Sequence, residues 1–216
     1  MKSKKSVAGG GASKRKREPA PRQPSGERRI EEALEATTRA LSELRAPWML
    51  IGGLAVIARG VRRATTDIDV VVRGDAVDVR HALSVLATHD LLPRQPDAEA
   101  FARENLVLLA QHRPTGVDLD LSFAWSAFEH DAIADRQISK LGRVRLPIAR
   151  AADLIVFKIV AGRAKDLSDV EALLLTHTTL NVPRIRRHVK ALAELADAPE
   201  MVTNLERALS EVRSLR

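Results

Sequence analysis

Two aspartates separated by one residue, Asp67 and Asp69, are of a type and spacing that could do chemistry. They open a β-branched run at positions 70–72, a composition that favours a strand. Because strand side chains alternate between the two faces, both carboxylates project to one side and Ile68 points into the core. Two close carboxylates repel each other, and a divalent cation bound by oxygen ligands, Mg²⁺ or Mn²⁺, compensates them. The pair therefore predicts a metal site.

Two glycines, Gly52 and Gly53, precede these aspartates. They follow the apolar run 48–51, which is long enough for a buried strand, and residues 54–58 then favour a short helix. Glycines allow a tight turn or the close approach of a ligand, and the backbone N–H groups of such a turn bind phosphate. Either feature alone is typical of ordinary turn chemistry. Together and in this order, they predict phosphoryl or nucleotidyl transfer.

The stretch 48–72 resembles the nucleotidyltransferase superfamily typified by DNA polymerase β. The signature of that superfamily is a hydrophobic residue, Gly-Gly or Gly-Ser, a spacer, and two acidic residues separated by a hydrophobic one. Residues 51–53 and 67–70 match it, with a spacer of thirteen residues that lies at the long end of the family range. The finer pattern, GGLAV and then GVRRATTDID, is similar to the bacterial branch of AbiEii-type toxins, which belong to type IV toxin–antitoxin systems, and their uncharacterised relatives.

This resemblance implies a metal-dependent enzyme that moves a nucleoside monophosphate from an NTP to an acceptor and releases pyrophosphate. It implies that Asp67, Asp69 and a third carboxylate hold two Mg²⁺ (or Mn²⁺) ions, and that Gly52 and Gly53 cradle phosphates. Arg63 lies in the family-like stretch R-A-T-x-D-I-D and is a candidate nucleotide ligand. The AbiEii-type branch implies an RNA acceptor, such as a tRNA 3′ end, and a toxin role beside a cognate antitoxin.

A second acidic strand is predicted at residues 117–123, where apolar and polar residues alternate. Asp118 and Asp120 share its polar face, and the strand could lie beside residues 67–72. It would then supply the third carboxylate that a two-metal site requires. The resemblance favours Asp120 as the catalytic metal ligand over Asp118. The alternative is that both are solvated carboxylates at a sheet edge.

A lysine, Lys158, interrupts the apolar run 151–161, which predicts a buried helix. A lysine in such a helix needs an anionic partner. Either a carboxylate such as Asp169 holds it, or it reaches the phosphates of the nucleotide. The resemblance extends here to a second conserved block of AbiEii-type proteins, and it implies a catalytic, nucleotide-binding role for Lys158. The residues that match the block are Lys158, Arg163, Lys165, Asp166 and Asp169.

The remaining elements must position these residues. Periodicity predicts helices over 30–44, 75–87 (with Asp75 as N-cap), 170–175, 183–195 and from 199 onward, a strand over 106–110 and a hairpin over 137–148. Residues 91–103 read as a loop. Trp125 and Phe128 are predicted in the core, and Arg59 and Arg62 on the surface. The fold class is α/β: a nucleotidyltransferase fold with a small mixed sheet and flanking helices, followed by a C-terminal helical subdomain.

Three regions are expected: a disordered basic tail over 1–29, a nucleotidyltransferase core over 30–149 and a helical subdomain over 150–216. The chain of 216 residues is 45% hydrophobic, enough for a real core, and has no Cys, which excludes disulfides and thiolate chemistry. Aromatic residues make up only 3%, which argues against base-stacking modules. No apolar run is long enough to span a membrane, so a cytoplasmic protein without a membrane partner is expected.

The net charge of +7 is concentrated in the tail. Residues 1–29 hold ten Lys or Arg and two Glu, which leaves 25 basic and 26 acidic residues in the rest. The run 14–17 predicts either a solubilising tail or a non-specific RNA tether. A second basic group consists of Arg184, Arg186, Arg187 and Lys190. It forms either a solvated face or a face that contacts RNA.

Two other functions fit the same residues. One is nucleotidyl transfer to a small-molecule hydroxyl, as in aminoglycoside nucleotidyltransferases. The other is a catalytically silent regulatory protein on the same fold, against which the presence of all three carboxylates argues. The sequence specifies neither the preferred NTP nor the acceptor.

Overall fold

The computed structural model describes residues 25–215, so most of the predicted tail, including the run 14–17, lies outside the described residues. Its centre is a mixed seven-stranded sheet with the order β3-β4-β5-β2-β1-β7-β6. This confirms the predicted fold class. The strands are β1 Trp48–Ile51, β2 Asp67–Arg73, β3 Leu91–Pro93, β4 Val107–His112, β5 Val117–Ala124, β6 Gln137–Leu141 and β7 Val144–Ile148.

Helices flank the sheet and form the C-terminal third of the chain. Helix α1 packs on β5, β2 and β7, and α3 and α4 pack on β3 and β4. Helices α6 to α9 contact one another, and α6 also contacts α2. The helices are α1 Gly26–Glu43, α2 Gly52–Ala58, α3 Val79–Thr88, α4 Ala98–Asn105, α5 Ala127–Ala134, α6 Ala151–Ala161, α7 Ala164–Thr176, α8 Val182–Ala196 and α9 Glu200–Ser214.

The sheet core follows from the alternation in the sequence. Val70, Val71 and Val72 are fully buried, so both faces of β2 are covered there. At the start of the strand only Ile68 is fully buried, whereas Asp67 and Asp69 are half-buried on the other face. The strand therefore carries its carboxylates where one face opens to solvent.

Two predicted helix starts are corrected. Helix α1 begins at Gly26 and not at Ile30. Helix α3 is capped by Asp78, whose side chain accepts a hydrogen bond from the backbone N–H of His81 at 3.0 Å, and not by Asp75. Val77 and Asp78 have extended backbones, and the preceding residues 74–76 form a separate 3₁₀ turn.

Residues 91–103 do not form a loop: they contain edge strand β3 and most of helix α4. Pro93 is tolerated because β3 lies at the edge of the sheet. Trp125 is 56% exposed and not in the core, because its ring projects outward just before helix α5, whereas Phe128 is buried as predicted. Arg59 is half-buried, since its guanidinium donates to the carbonyls of Ala149 at 2.7 Å and Ile148 at 2.9 Å.

In the described part of the chain, no helix combines the length and the apolar character needed to cross a bilayer.

Candidate active site

The four aspartates of β2 and β5 form one patch. The two strands are neighbours, as the sequence analysis considered, and they pair in parallel. Their register places Asp67 beside Asp118 and Asp69 beside Asp120. Side chains directly opposite each other in neighbouring strands point to the same face. Like charges at these positions are destabilising, so the patch costs stability unless cations compensate it.

The glycine turn packs directly against this patch. Gly52 has φ +64°, and a Cβ added there would lie 1.8 Å from Oδ2 of Asp69. A Cβ on Gly53 would lie 2.6 Å from Oγ1 of Thr65. Both positions therefore require glycine, the first for its backbone conformation as well as for space.

We expect Gly52→Ala to destabilise the protein by about 2 kcal/mol or more, because the left-handed conformation alone costs roughly 1–2 kcal/mol and the methyl group also displaces Asp69. Urea unfolding measures the loss. Gly26→Ala is the matched control, since a Cβ at Gly26 meets nothing within 4 Å. Equal stability of the two variants would show that the turn tolerates a side chain.

The surroundings of the two aspartates of β2 shift their pKa values in opposite directions. Burial raises the pKa of Asp69, and the charges of Asp67 and Asp120 raise it further. Burial acts in the same direction on Asp67, but hydrogen bonds, first of all from the Thr65 hydroxyl, outweigh it and hold the pKa of Asp67 below its usual value. Of the two, Asp69 is thus the carboxylate that gains more from a nearby cation.

Asp67, Asp69 and Asp120 form the acidic wall of the site, and a basic cluster, its basic wall, lines the same cleft. The basic wall comes from α6, from the start of α7 and from the segment before β2. The Nζ of Lys158 donates to Oδ1 of Asp166 at 2.7 Å and lies 3.0 Å from Oδ2 of Asp169. Arg63 pairs with Asp169, and Arg163 pairs with Asp166 at 2.5 Å. Lys158 therefore pairs with carboxylates in this structure, which is the first of the two alternatives given for it. Three cations share two carboxylates, so the cluster retains a positive charge.

All the predicted site residues line one cleft of about 260 Å³ between the two walls. Asp120 lines this cleft, whereas Asp118 does not. Asp118 instead accepts hydrogen bonds from Gln111 at 3.0 Å and from Arg94 at 3.1 Å. The predicted residues that the cleft unites are Gly52, Gly53, Arg63, Asp67, Asp69, Asp120 and Lys158.

Comparison with known protein families assigns the chain to one of them. A model of a family described as nucleotidyltransferases of unknown function (DUF6036) matches residues 28–212. The chain belongs to this family. The prediction of a nucleotidyltransferase is therefore confirmed, whereas no match singles out the AbiEii-type branch. No curated protein matches the chain.

Solved structures share the fold of this nucleotidyltransferase at low sequence identity. The antibiotic-resistance factor ANT(2″)-Ia in solution has a TM-score of 0.52 and 18% identity, over 81% of this chain and 94% of that one. A crystal structure of ANT(2″)-Ia in complex with adenylyl-2″-tobramycin has a TM-score of 0.50 and 17% identity, over 80% and 99%. JHP933 from Helicobacter pylori has a TM-score of 0.48 and 14% identity, over 88% and 93%.

Sequence reasoning assigned no role to Lys165, yet this residue also lines the cleft of the nucleotidyltransferase. Its side chain is exposed, makes no hydrogen bond or ion pair with any other described residue, and lowers the pKa of Asp67 by its charge. It precedes Asp166 in the first turn of α7 and lines the same cleft as the acidic wall. Its place beside Asp166 was the available signal.

The donor chemistry of the acidic wall fits a hard divalent cation. Asp67, Asp69 and Asp120 offer oxygen ligands only. Burial and then the charges of Asp67 and Asp120 raise the pKa of Asp69, and a cation would compensate those charges. Within residues 25–215, however, no three His, Cys, Asp or Glu side chains are already arranged to hold a metal ion. Asp120 instead forms an ion pair with Arg94.

Proposed function

We propose that this cleft binds a divalent cation and an NTP and transfers the nucleoside monophosphate to an acceptor hydroxyl. The observation that carries the proposal is the division of one cleft into an acidic and a basic wall. Asp67, Asp69 and Asp120 suit the cation, and the cluster around Lys158 suits the triphosphate. A cation alone would need only the first wall, and a phosphate alone only the second.

In this mechanism the acceptor oxygen bonds to the α-phosphorus while the bond to the bridging oxygen breaks, pyrophosphate leaves and the hydroxyl proton passes to solvent. Asp67, Asp69 and Asp120 would hold the cation, Mg²⁺ or Mn²⁺, which would supply Lewis-acid chemistry by lowering the pKa of the attacking hydroxyl and stabilising the leaving group. Lys165, which has no hydrogen-bond or ion-pair partner within residues 25–215, binds the triphosphate. Lys158 keeps the basic wall in place and adds positive charge.

We expect Lys165→Gln to raise the KM for NTP about tenfold with a smaller effect on kcat, because one charge-assisted hydrogen bond to phosphate is lost. Steady-state kinetics over a range of NTP concentrations measure this. Lys140→Gln is the control, since it removes another exposed lysine, one that lies in β6 and does not line the cleft. A KM that is equal in both variants would remove Lys165 from the site.

The described residues favour a small hydroxylated acceptor over RNA. In α8, Arg184 pairs with Asp135 at 3.1 Å, and Arg186 pairs with Glu206 at 2.6 Å. Lys190 also lies 3.9 Å from Glu194, so three of the four residues of this group, for which an RNA-facing role was one alternative, pair with carboxylates of the protein itself. The reported complex of ANT(2″)-Ia with adenylyl-2″-tobramycin supplies a fold-level analogy for a small acceptor. RNA, with a toxin role beside an antitoxin, rests on the AbiEii resemblance and the charge of residues 1–29.

The acceptor is tested by incubating the full chain with Mg²⁺ and each α-³²P-labelled NTP, in parallel with total tRNA and with a panel of aminoglycosides and other polyols. Label on a small molecule supports the favoured acceptor. Label on tRNA supports the RNA acceptor, and its loss on deletion of residues 1–24 would assign the tail as the tether. NTP binding without transfer to either would point to a missing partner, whereas absence of NTP binding would leave a silent protein.

A further inference from the structure

Arg94, which directly follows strand β3, bridges the two aspartates of β5. Its Nη1 donates to Oδ2 of Asp118 at 3.1 Å, and its Nη2 donates to Oδ1 of Asp120. Its backbone N–H donates to the carbonyl of Leu109 at 2.9 Å, which fixes the start of the side chain beside β4. The guanidinium therefore lies across the edge of the acidic wall.

The two carboxylates that Arg94 holds have different surroundings. Asp118 also accepts a hydrogen bond from Gln111 and lies outside the cleft. Asp120 lines the cleft, and among the described residues Arg94 is its sole side-chain donor. Asp118 thus anchors the guanidinium, and Asp120 is the carboxylate that the guanidinium compensates.

We propose that Arg94 is a positioning residue that holds Asp120 in the metal-free enzyme and gives it up when a divalent cation binds. The inference rests on the proposed function, because it takes Asp120 as a metal ligand. It also gives Asp118 a role, since the arginine can stay on Asp118 after it leaves Asp120. In this arrangement Asp120 binds the metal and Asp118 binds Arg94.

The exposure of the contact makes this exchange feasible. The side chain of Arg94 is 30% exposed and that of Asp120 is 39% exposed, so water reaches the ion pair. Ion pairs of this kind contribute little net free energy, and a divalent cation competes with them for the same oxygens. Arg94 therefore weakens metal binding while it prevents uncompensated repulsion among the carboxylates.

Titration with Mn²⁺, followed by the electron paramagnetic resonance signal of the free ion, tests this without turnover. Arg94→Gln is expected to bind Mn²⁺ roughly fivefold more tightly than the wild type, the size of an exposed ion pair. Arg94→Lys keeps the positive charge, so its Mn²⁺ affinity should lie close to that of the wild type. Arg80→Gln is the matched control: Arg80 is exposed, pairs with Glu99 at 3.2 Å and does not line the cleft, so its loss should leave Mn²⁺ affinity unchanged.

Two results separate failure of this inference from failure of the proposed function. If Asp69→Asn loses Mn²⁺ binding but Arg94→Gln binds as the wild type does, or more weakly, the metal site stands and the role of Arg94 is wrong. If Asp69→Asn binds Mn²⁺ as well as the wild type does, the metal site itself is wrong, and the inference falls with it. A weaker site in Arg94→Gln would indicate that the arginine orients Asp120 for the metal.

Discussion

Asp69→Asn is expected to lower the rate of nucleotidyl transfer by at least about 10³-fold while it stabilises the metal-free protein. The loss of activity follows because the amide is a poor ligand for a hard cation that supplies several kcal/mol of transition-state stabilisation, and each 1.36 kcal/mol corresponds to a factor of ten in rate. The assay is the release of pyrophosphate at saturating NTP.

The gain in stability has a separate cause. Burial, together with Asp67 and Asp120, raises the pKa of Asp69 above its unfolded value, so the ionised form opposes folding at neutral pH. An acid with a raised folded pKa lowers stability progressively as pH rises through its titration range. Asn carries no charge and removes this cost, so the melting temperature without metal should be higher than that of the wild type at pH 7.

Asp75→Asn is the matched control for both measurements, since Asp75 is an exposed carboxylate outside the cleft. It should change neither activity nor melting temperature appreciably. A variant Asp69→Asn that is inactive but also less stable would show that the carboxylate is a structural element of the fold and not a cation ligand kept at a cost.

Lys158→Met is expected to destabilise the protein by about 2–3 kcal/mol, because it removes a charge-assisted hydrogen bond to buried Asp166 and an ion pair with Asp169. The two carboxylates then keep only Arg163 and Arg63 as partners. The side chain of Lys158 is 6% exposed, and that of its partner Asp166 is 0% exposed. Methionine fills most of the volume but compensates no charge. Urea unfolding of the variant and the wild type measures the loss.

The pH dependence of this loss has a defined sign. Burial would raise the pKa of Asp166, but hydrogen bonds from Arg163 and Lys158 outweigh it and hold that pKa below its usual value. Asp166 therefore stabilises the fold at pH values above about 3.9, the usual aspartate pKa, and the stabilisation is lost as pH falls through the lower folded pKa. In Lys158→Met one donor is missing, so this acid-dependent loss should be smaller.

Lys190→Met provides the control, because Lys190 is 74% exposed and lies 3.9 Å from Glu194. It should cost less than about 0.5 kcal/mol. If Lys158→Met is as stable as this control, the pairing with Asp166 and Asp169 contributes nothing to the fold, and Lys158 is free to serve the nucleotide alone.

Much of the site could be predicted because its residues are close in sequence or alternate regularly. The glycine pair and the β2 aspartates lie within one strand-turn-helix-strand unit, and the alternation in residues 117–123 placed Asp120 on the correct face. The helix cap was misplaced by three residues because Asp75 and Asp78 offer the same side chain, and only the backbone between them decides which one caps.

The rest depends on contacts between distant parts of the chain. Arg94 lies in a segment predicted as a loop, and it reaches Asp120 only because the short edge strand β3 pairs with β4. Nothing in the local sequence distinguishes it from other surface arginines. The place of Lys165 beside Asp166 did not separate it from the nearby Arg163 until the fold showed that Arg163 is paired with Asp166 and Lys165 is not. Such assignments require the tertiary structure.

The central claim is that the cleft between the two walls carries out nucleotidyl transfer. The most direct test supplies the enzyme with Mg²⁺, an accepted acceptor and one NTP labelled in parallel at the α- or the γ-phosphate. The account predicts that α-label enters the acceptor, that γ-label is released as pyrophosphate, and that both processes are lost in Asp69→Asn but not in Asp75→Asn. Transfer of γ-label to the acceptor, or transfer of α-label that persists in Asp69→Asn, would contradict it.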